Sequence, residues 1–467
     1  MDSILRGYSL NDPTWLYLSF VLILAVYFKF SRLWSVRNLD LLLLLSLSPG
    51  LYLVGRDQPD LAAFGYVWLF GATALLLVRV LYDGIMTRRP RLEQNMNAAG
   101  MTFLCAATLL LLTARLLTED PPPSTVESIR KANALLDGSP LEEVTAPEEV
   151  ADATDKPARD AVPAGPGTSL ATAAVSQLSK AVTQHEPGEK PSRMDLDLVT
   201  ARLTAIVAHI IVILGLVLIG RHIFQDSDLG FAMAALYMLL PCTAFDVGKI
   251  NHVLPAAFVV WAIWAYRRPF LSGTLLGLAC AMMFFPIFLL PLWLAFYGRR
   301  GGVRFGAAVL LTTAAIISSL VVMSGDSRTF LAELLVYVDW PDLGFRTGST
   351  LRGFWEGHEA YRIPVFVAYL VMLVALTIWP HRKSLAHVIP SSAALVIGTQ
   401  FWYPQEGGVY VLWYLPLLIL VVFRPMMSNH FAPELRPLWF IEALAGKERK
   451  RPELVGSASS SEGSSFR

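Results

Sequence analysis

Charge is what this chain has least of. Only 16% of its 467 residues are Asp, Glu, Lys or Arg, against about 25% in an ordinary soluble domain. A soluble fold could not hide the 54% that are hydrophobic, so composition excludes a water-soluble globule. The three cysteines, Cys105, Cys242 and Cys280, stand apart in apolar stretches, which excludes a disulfide framework or a cysteine-based metal site. No phosphate-binding glycine loop, serine-hydrolase elbow or repeated Cys/His spacing occurs, and His209 and His222 are isolated, so no metal site is expected. A net charge of +1 gives no reason to expect nucleic acid. Ionisable groups inside the apolar runs are also scarce, chiefly Arg79 and His209. A proton-coupled transporter would need a relay of such groups, whereas a facilitated transporter stays open. Arg79, with Asp83 four residues on, reads as a helix salt bridge, and His209 as a histidine bonded to a neighbouring helix.

Long apolar runs are what the chain has instead. The first, 15–30, has no basic flank before it and no small-residue cleavage site after it, so it reads as a retained helix. Spans are expected at 14–30, 39–55, 62–82, 98–117, 200–220, 228–244, 252–266, 303–323, 364–380, 386–401 and 409–424. The fold class is therefore all-α: a polytopic helical membrane protein of about 11 full spans. Four regions follow: N-terminal membrane helices (1–117), an acidic Pro/Ala-rich loop expected to be largely disordered (118–198), a membrane core (199–424), and a tail with an interfacial helix and a disordered end (425–467). Within the loop, Ser124 and Glu127 form a capping box for a short helix that Gly138 could end, and 168–182 fits a second.

Basic clusters set the sidedness. Placing Lys29/Arg32/Arg37, Arg88/Arg89/Arg91, Arg221 and Arg267/Arg268 in the cytoplasm satisfies each turn from an outside N-terminus and ends with a cytoplasmic C-terminus. The stretch 270–297 breaks parity, because Arg267/Arg268 and Arg299/Arg300 flank it on what would be opposite sides. Pro286 divides it into pieces of about 15 and 11 residues, each too short to span. A hairpin of two partial helices restores parity; one long kinked helix is the alternative.

The polar residues gather in the outer loops. Residues 245–252 carry Asp246, Lys249, Asn251 and His252; 339–362 carry Trp340, Arg346, Arg352, Trp355 and His358; 401–408 carry Trp402, Tyr403 and Glu406. Aromatic faces stack on sugars, carboxylates serve as bases, and cations neutralise phosphate. An ordinary interfacial aromatic belt is the plainer reading of any one loop.

Residues 248–297 resemble a signature of GT-C superfamily glycosyltransferases of the bacterial polyprenyl-phosphate-mannose-dependent type. Gly248, Asn251, Gly273, Gly277, Leu278, Ala279 and Pro286 follow it in order and spacing, and 409–420 resembles the family's tyrosine-rich last helix. Two positions depart: Lys249 stands for a glutamine, and Met283 for a lysine. The resemblance implies a GT-C-like fold and an inverting membrane glycosyltransferase. It would move a hexose, mannose being one candidate, from a polyprenyl-phosphate donor to an acceptor hydroxyl on the extracytoplasmic side of the cell membrane. It implies an acidic catalytic residue in an early outer loop, for which the chain offers Asp57 and Asp60, or alternatively Glu119 and Asp120. Lys249, Asn251, Arg346 and Arg352 are the candidates for donor phosphate, and Asp246, Trp340, Trp355, His358, Trp402, Tyr403 and Glu406 for the substrate wall. No cofactor is evident, and a divalent cation stays open. A non-catalytic scaffold that binds partners through the acidic loop is the alternative from another class.

Overall fold

In the computed structural model, residues 11–56, 58–84, 92–137, 165–183, 193–323, 353–427 and 429–434 are described. They are all-α; an isolated bridge joins Ser384 to Phe431. Helix α1 (Asp12–Tyr27) opens on Asn11, whose side chain accepts from the Thr14 amide, satisfying one of the amides a helix start leaves bare. Helices α2 (Val36–Leu45) and α3 (Leu47–Val54) form one broken crossing, and α4 (Pro59–Tyr82) and α5 (Ala98–Thr118) follow. The two short helices expected in the acidic segment are α6 (Pro123–Asp137) and α7 (Pro166–Thr183). They join each other and α8 (Arg193–His222) through polar contacts: Ser176 donates to Asn133, Asn133 donates to Asp197, and Ser179 meets Thr200 at 2.7 Å.

The rest of the bundle is α9 (Ser227–Leu239), α10 (Pro241–Phe245), α11 (Ile250–Trp264), α12 (Pro269–Met282), α13 (Leu290–Met323), α14 (Arg362–Ile378), α15 (Leu385–Trp402) and α16 (Val411–Phe423). Among the described residues, six helical stretches are long and apolar enough to cross a membrane, and five shorter apolar helices accompany them. Helices α9, α11, α15 and α16 are buried along nearly their whole length, whereas α4, α5 and α14 expose leucine, valine and phenylalanine. That inversion is physical: hydrocarbon accepts apolar side chains as readily as a core does, so only the centre of the bundle is sealed from it. Pro255, Pro390 and Pro416 lie inside the sealed helices, where packed neighbours tolerate the backbone donor that proline removes.

The stretch that broke charge parity is a hairpin. Helix α12 ends at Met282, a 3₁₀ turn covers Phe285–Leu289, and α13 departs from helical geometry at Gly298 (φ 61°, ψ −167°). Tyr297 then lies back beside the start of α12, its hydroxyl donating to the Tyr266 carbonyl at 2.8 Å. Beyond Gly298, α13 runs parallel to α12: a Cβ at Gly273 would meet Phe305, and one at Gly277 would meet Val309 and Thr312. Two signature glycines thus serve backbone approach between helices, the use of a small-xxx-small pattern in membranes.

One end of the bundle is basic and closed on itself. Asp40 receives Arg79 through both carboxylate oxygens, Asp83 lies 3.4 Å from Arg79, and Asp83 also receives Arg424. Asp40, Asp83 and Arg424 are buried, so the pair expected as a helix salt bridge belongs to a network joining α2, α4 and α16. His209 contacts the Tyr237 hydroxyl at 2.9 Å and the Val247 carbonyl at 3.0 Å. Since a carbonyl only accepts, the neutral ring carries its proton on Nε2. This histidine holds α8, α9 and the segment after α10 together, the structural role expected of it.

Candidate active site

The opposite end carries a cavity of about 510 Å³, within the range of about 300–1,000 Å³ usual for small-ligand sites. Four interruptions of helix build it. The start of α1 brings Asn11, Asp12 and Pro13; the end of α3 brings Tyr52, Gly55 and Arg56; the turn after α10 brings Phe245, Asp246 and Lys249; the α15–α16 loop brings Glu406 and Val409. Pro123 of α6 closes one edge. Charged groups of both signs therefore face one space that helix ends leave open.

The turn after α10 is pinned from behind. The Thr125 hydroxyl donates to the Gly248 carbonyl at 2.9 Å, Asn251 donates to Ser128 at 3.3 Å, and a side chain at Gly248 would strike Pro122. Lys249 reaches Asp246 at 3.1 Å, and the Arg56 guanidinium sits 4.3 Å above the Tyr52 ring, so both cations are oriented at the wall. Asp12 receives Arg115 at 2.6 Å, and Arg115 also lies 2.9 Å from Glu119.

A second, smaller cavity of about 90 Å³ lies on the other side of Phe245, lined by Glu119, Asp120, Arg202 and Gly248 among others. Burial raises the Glu119 carboxyl above its ordinary value, while Arg115 pulls it back. Its outer side stays open, with 46% of the side chain exposed.

The candidates from sequence divide accordingly. Asp246, Lys249 and Glu406 line the large cavity, and Glu119 and Asp120 the small one. Asp60 is exposed in the first turn of α4, and Asn251 is buried against Ser128; neither lines these two cavities. Trp355, Trp402 and Tyr403 are buried packing residues: Trp402 contacts Phe284, Phe288, Phe366 and Tyr369, and Tyr403 stacks on Phe284 at 5.1 Å. Rings there fill the volume left where helices break, and none lines either cavity. His358 is exposed and bonded locally to the Glu356 carbonyl. Asp57, Trp340, Arg346 and Arg352, like the tail helix, lie outside the described residues.

Met283, at the family's lysine position, is fully buried at the end of α12. Asp12, Tyr52, Arg56 and Phe245 line the large cavity and were not among the candidates from sequence. The signal that could have found Asp12 was the parity count itself, which placed the N-terminus on the outer side. Among the described residues, no three His, Cys, Asp or Glu side chains group closely enough to hold a metal ion, so the carboxylates are spread around the wall.

Fold and site together define a multi-pass helical membrane protein with a charged cavity at one end of a broken-helix bundle. Residues 195–402, from α8 to the end of α15 and somewhat less than half of the chain, match glycosyltransferase family 87. The match supports a membrane-embedded glycosyltransferase and agrees with the GT-C resemblance of residues 248–297. No curated protein and no solved structure matches the chain.

Proposed function

We propose that this protein transfers a sugar from a polyprenyl-phosphate donor to an acceptor hydroxyl, with inversion, in the 510 Å³ cavity. The observation that carries the reading is the meeting of two cations, Arg56 and Lys249, with carboxylates around one cavity, to which the region matching family 87 contributes Phe245, Asp246 and Lys249. A lipid phosphate needs fixed positive charge at the aqueous edge of the bilayer, and a hydroxyl nucleophile needs a base beside it. Tyr52 and Phe245 give the sugar ring apolar faces, and the α12–α13 hairpin supplies short helices of the kind beside which a carrier tail can stay in hydrocarbon.

Sidedness follows from the opposite end. Arg267, Arg268, Arg299, Arg300 and Arg304 lie where α12 begins and where the hairpin returns at Gly298, and the bias of basic loops toward the cytoplasm puts the cavity outside. Leaving charge develops on the phosphate oxygen as the sugar departs, so Lys249 and Arg56 act more strongly in the transition state than before it. Asp57 follows Arg56 directly in the chain and is the early-loop carboxylate that the family resemblance points to. The test is sugar transfer from radiolabelled polyprenyl-phosphate sugars in isolated membranes, comparing wild type with Lys249→Ala and Asp57→Asn. Transfer by wild type and a loss of about 10²-fold in Lys249→Ala are expected. Background signal in all three contradicts the proposal.

A further inference from the structure

Lys249 stands at the centre of a very tight turn. Its φ of −81° and ψ of 76°, with the Ile250 amide donating to the Gly248 carbonyl at 3.0 Å, are those of an inverse γ-turn. The turn opens α11, and a helix start leaves amides bare. A serine, threonine, asparagine or aspartate side chain usually caps them; an ammonium cannot accept a hydrogen bond, and α11 has no side-chain cap. The turn that brings Lys249 to the large cavity is therefore steadied from outside α11.

One side of α6 does the steadying. Pro122 just before the helix and Thr125 and Ser128 within it recur every three residues and so share a side. Thr125 and Ser128 are both buried. Ser128 donates its own proton to the Ser124 carbonyl at 2.9 Å, which leaves its oxygen to accept from the Asn251 side-chain amide at 3.3 Å. The Thr125 hydroxyl donates to the Gly248 carbonyl at 2.9 Å, and a Cβ at Gly248 would fall 2.7 Å from the Pro122 ring. The Gly248 carbonyl and the Lys249 amide belong to one planar peptide unit. Thr125 holds one end of that plane, and the Asp246 carbonyl, accepting from the Lys249 amide at 3.0 Å, holds the other. The plane in turn sets the direction in which the lysine leaves the backbone.

Resting on the glycosyl-transfer reading above, we infer that Thr125 is a positioning residue for Lys249, and that Gly248 and Asn251 form the socket that receives α6. These two residues follow the family signature, yet neither borders the large cavity; both contact α6 or the proline that leads into it. The start of the segment between α5 and α8 thereby clamps the turn that faces the donor phosphate. Thr125 does not line the large cavity either, so its effect on transfer runs through Lys249. Without the hydroxyl the peptide plane is held at one end less firmly, and the ammonium spreads over positions beyond the one that meets the phosphate. Since Lys249 acts more strongly in the transition state than before it, the loss falls on kcat ahead of KM.

The full-length protein, purified and reconstituted, is assayed for transfer from a polyprenyl-phosphate sugar alongside Thr125→Val, Thr125→Ser, Lys249→Ala and the double variant Thr125→Val/Lys249→Ala, with thermal unfolding recorded for each. In Thr125→Val the Gly248 carbonyl keeps its bond from the Ile250 amide, so no buried acceptor is orphaned, and unfolding is expected within about 3 °C of wild type. Its kcat is expected to fall about tenfold with donor KM within about threefold of wild type, and Thr125→Ser, which keeps the hydroxyl, to restore kcat to within about threefold. Beside Lys249→Ala, Thr125→Val is expected to change the rate by less than about twofold, because two changes to one shared interaction do not add. Losses that multiply in the double variant overturn the assignment while leaving the glycosyltransferase intact, as does a Thr125→Val rate equal to wild type. Should Thr125→Val fail to fold, Ser128→Ala enters the same cycle through Asn251, with a loss of about threefold that likewise vanishes beside Lys249→Ala. A Lys249→Ala protein as fast as wild type overturns this assignment together with the donor site, and a wild type that transfers nothing overturns the parent reading itself.

Discussion

The two ends of this bundle use the same residue types to opposite purposes. At the basic end, Asp40, Arg79, Asp83 and Arg424 close on one another inside the protein, and their charges are consumed in joining helices. At the cavity end, Asp12, Arg56, Asp246, Lys249 and Glu406 border open space. An ionisable group near a membrane is costly wherever it stands, so its meaning depends on whether its partners surround it or leave one side toward a void. Substitutions should separate the two ends by what they break: the fold at one, transfer at the other.

The largest effect is expected at the closed end. Asp83→Asn leaves Arg424 and Arg79 short of a buried counter-charge, which costs about 3–5 kcal/mol; thermal unfolding in detergent should show a large drop, and any loss of transfer should track the folded fraction. Next, Gly273→Leu forces α12 away from Phe305, where the gap is already filled by backbone. Overpacking of this kind costs about 1–3 kcal/mol, read as a lower melting temperature with the donor KM raised by movement of the hairpin.

The smallest effect is expected of Glu119→Gln. Its raised native value means that Glu119 contributes stability below the unfolded value of about 4.3, and that contribution is lost as pH climbs through the native value. The variant should therefore lack that part of the pH slope, while its stability at neutral pH changes by no more than about 0.5 kcal/mol. A large loss of transfer in Glu119→Gln would instead move the chemistry to the smaller cavity.

Much of the architecture was legible because it rests on local rules. The hairpin followed from Pro286 and two basic pairs that could not both face the cytoplasm across one span, and the short helix opening near Ser124 from its capping box. Asp246, Lys249 and Glu406 were legible as polar residues clustered where helices end. Asp12 was not, since its tie to Arg115 spans 103 residues and nothing local marks it. Trp402 and Tyr403, candidates for the substrate wall, line neither described cavity. Aromatic rings suit both sugar stacking and the filling of gaps where helices break, and composition does not separate the two. Arg79 and Asp83 gave the spacing of a helix salt bridge; only the approach of Asp40 and Arg424 from other helices turns them into a buried network.

The contrast between the two ends is tested most directly by sugar-transfer rates in lipid nanodiscs, measured on wild type, Lys249→Ala and Arg268→Ala with a polyprenyl-phosphate sugar as donor. Both variants remove one cation, the first from the cavity wall and the second from the exposed surface of the basic end. Wild-type transfer, a fall of about 10²-fold in Lys249→Ala and a rate within twofold of wild type in Arg268→Ala is the predicted result. Equal rates in Lys249→Ala and wild type, or no transfer by wild type, would contradict the account.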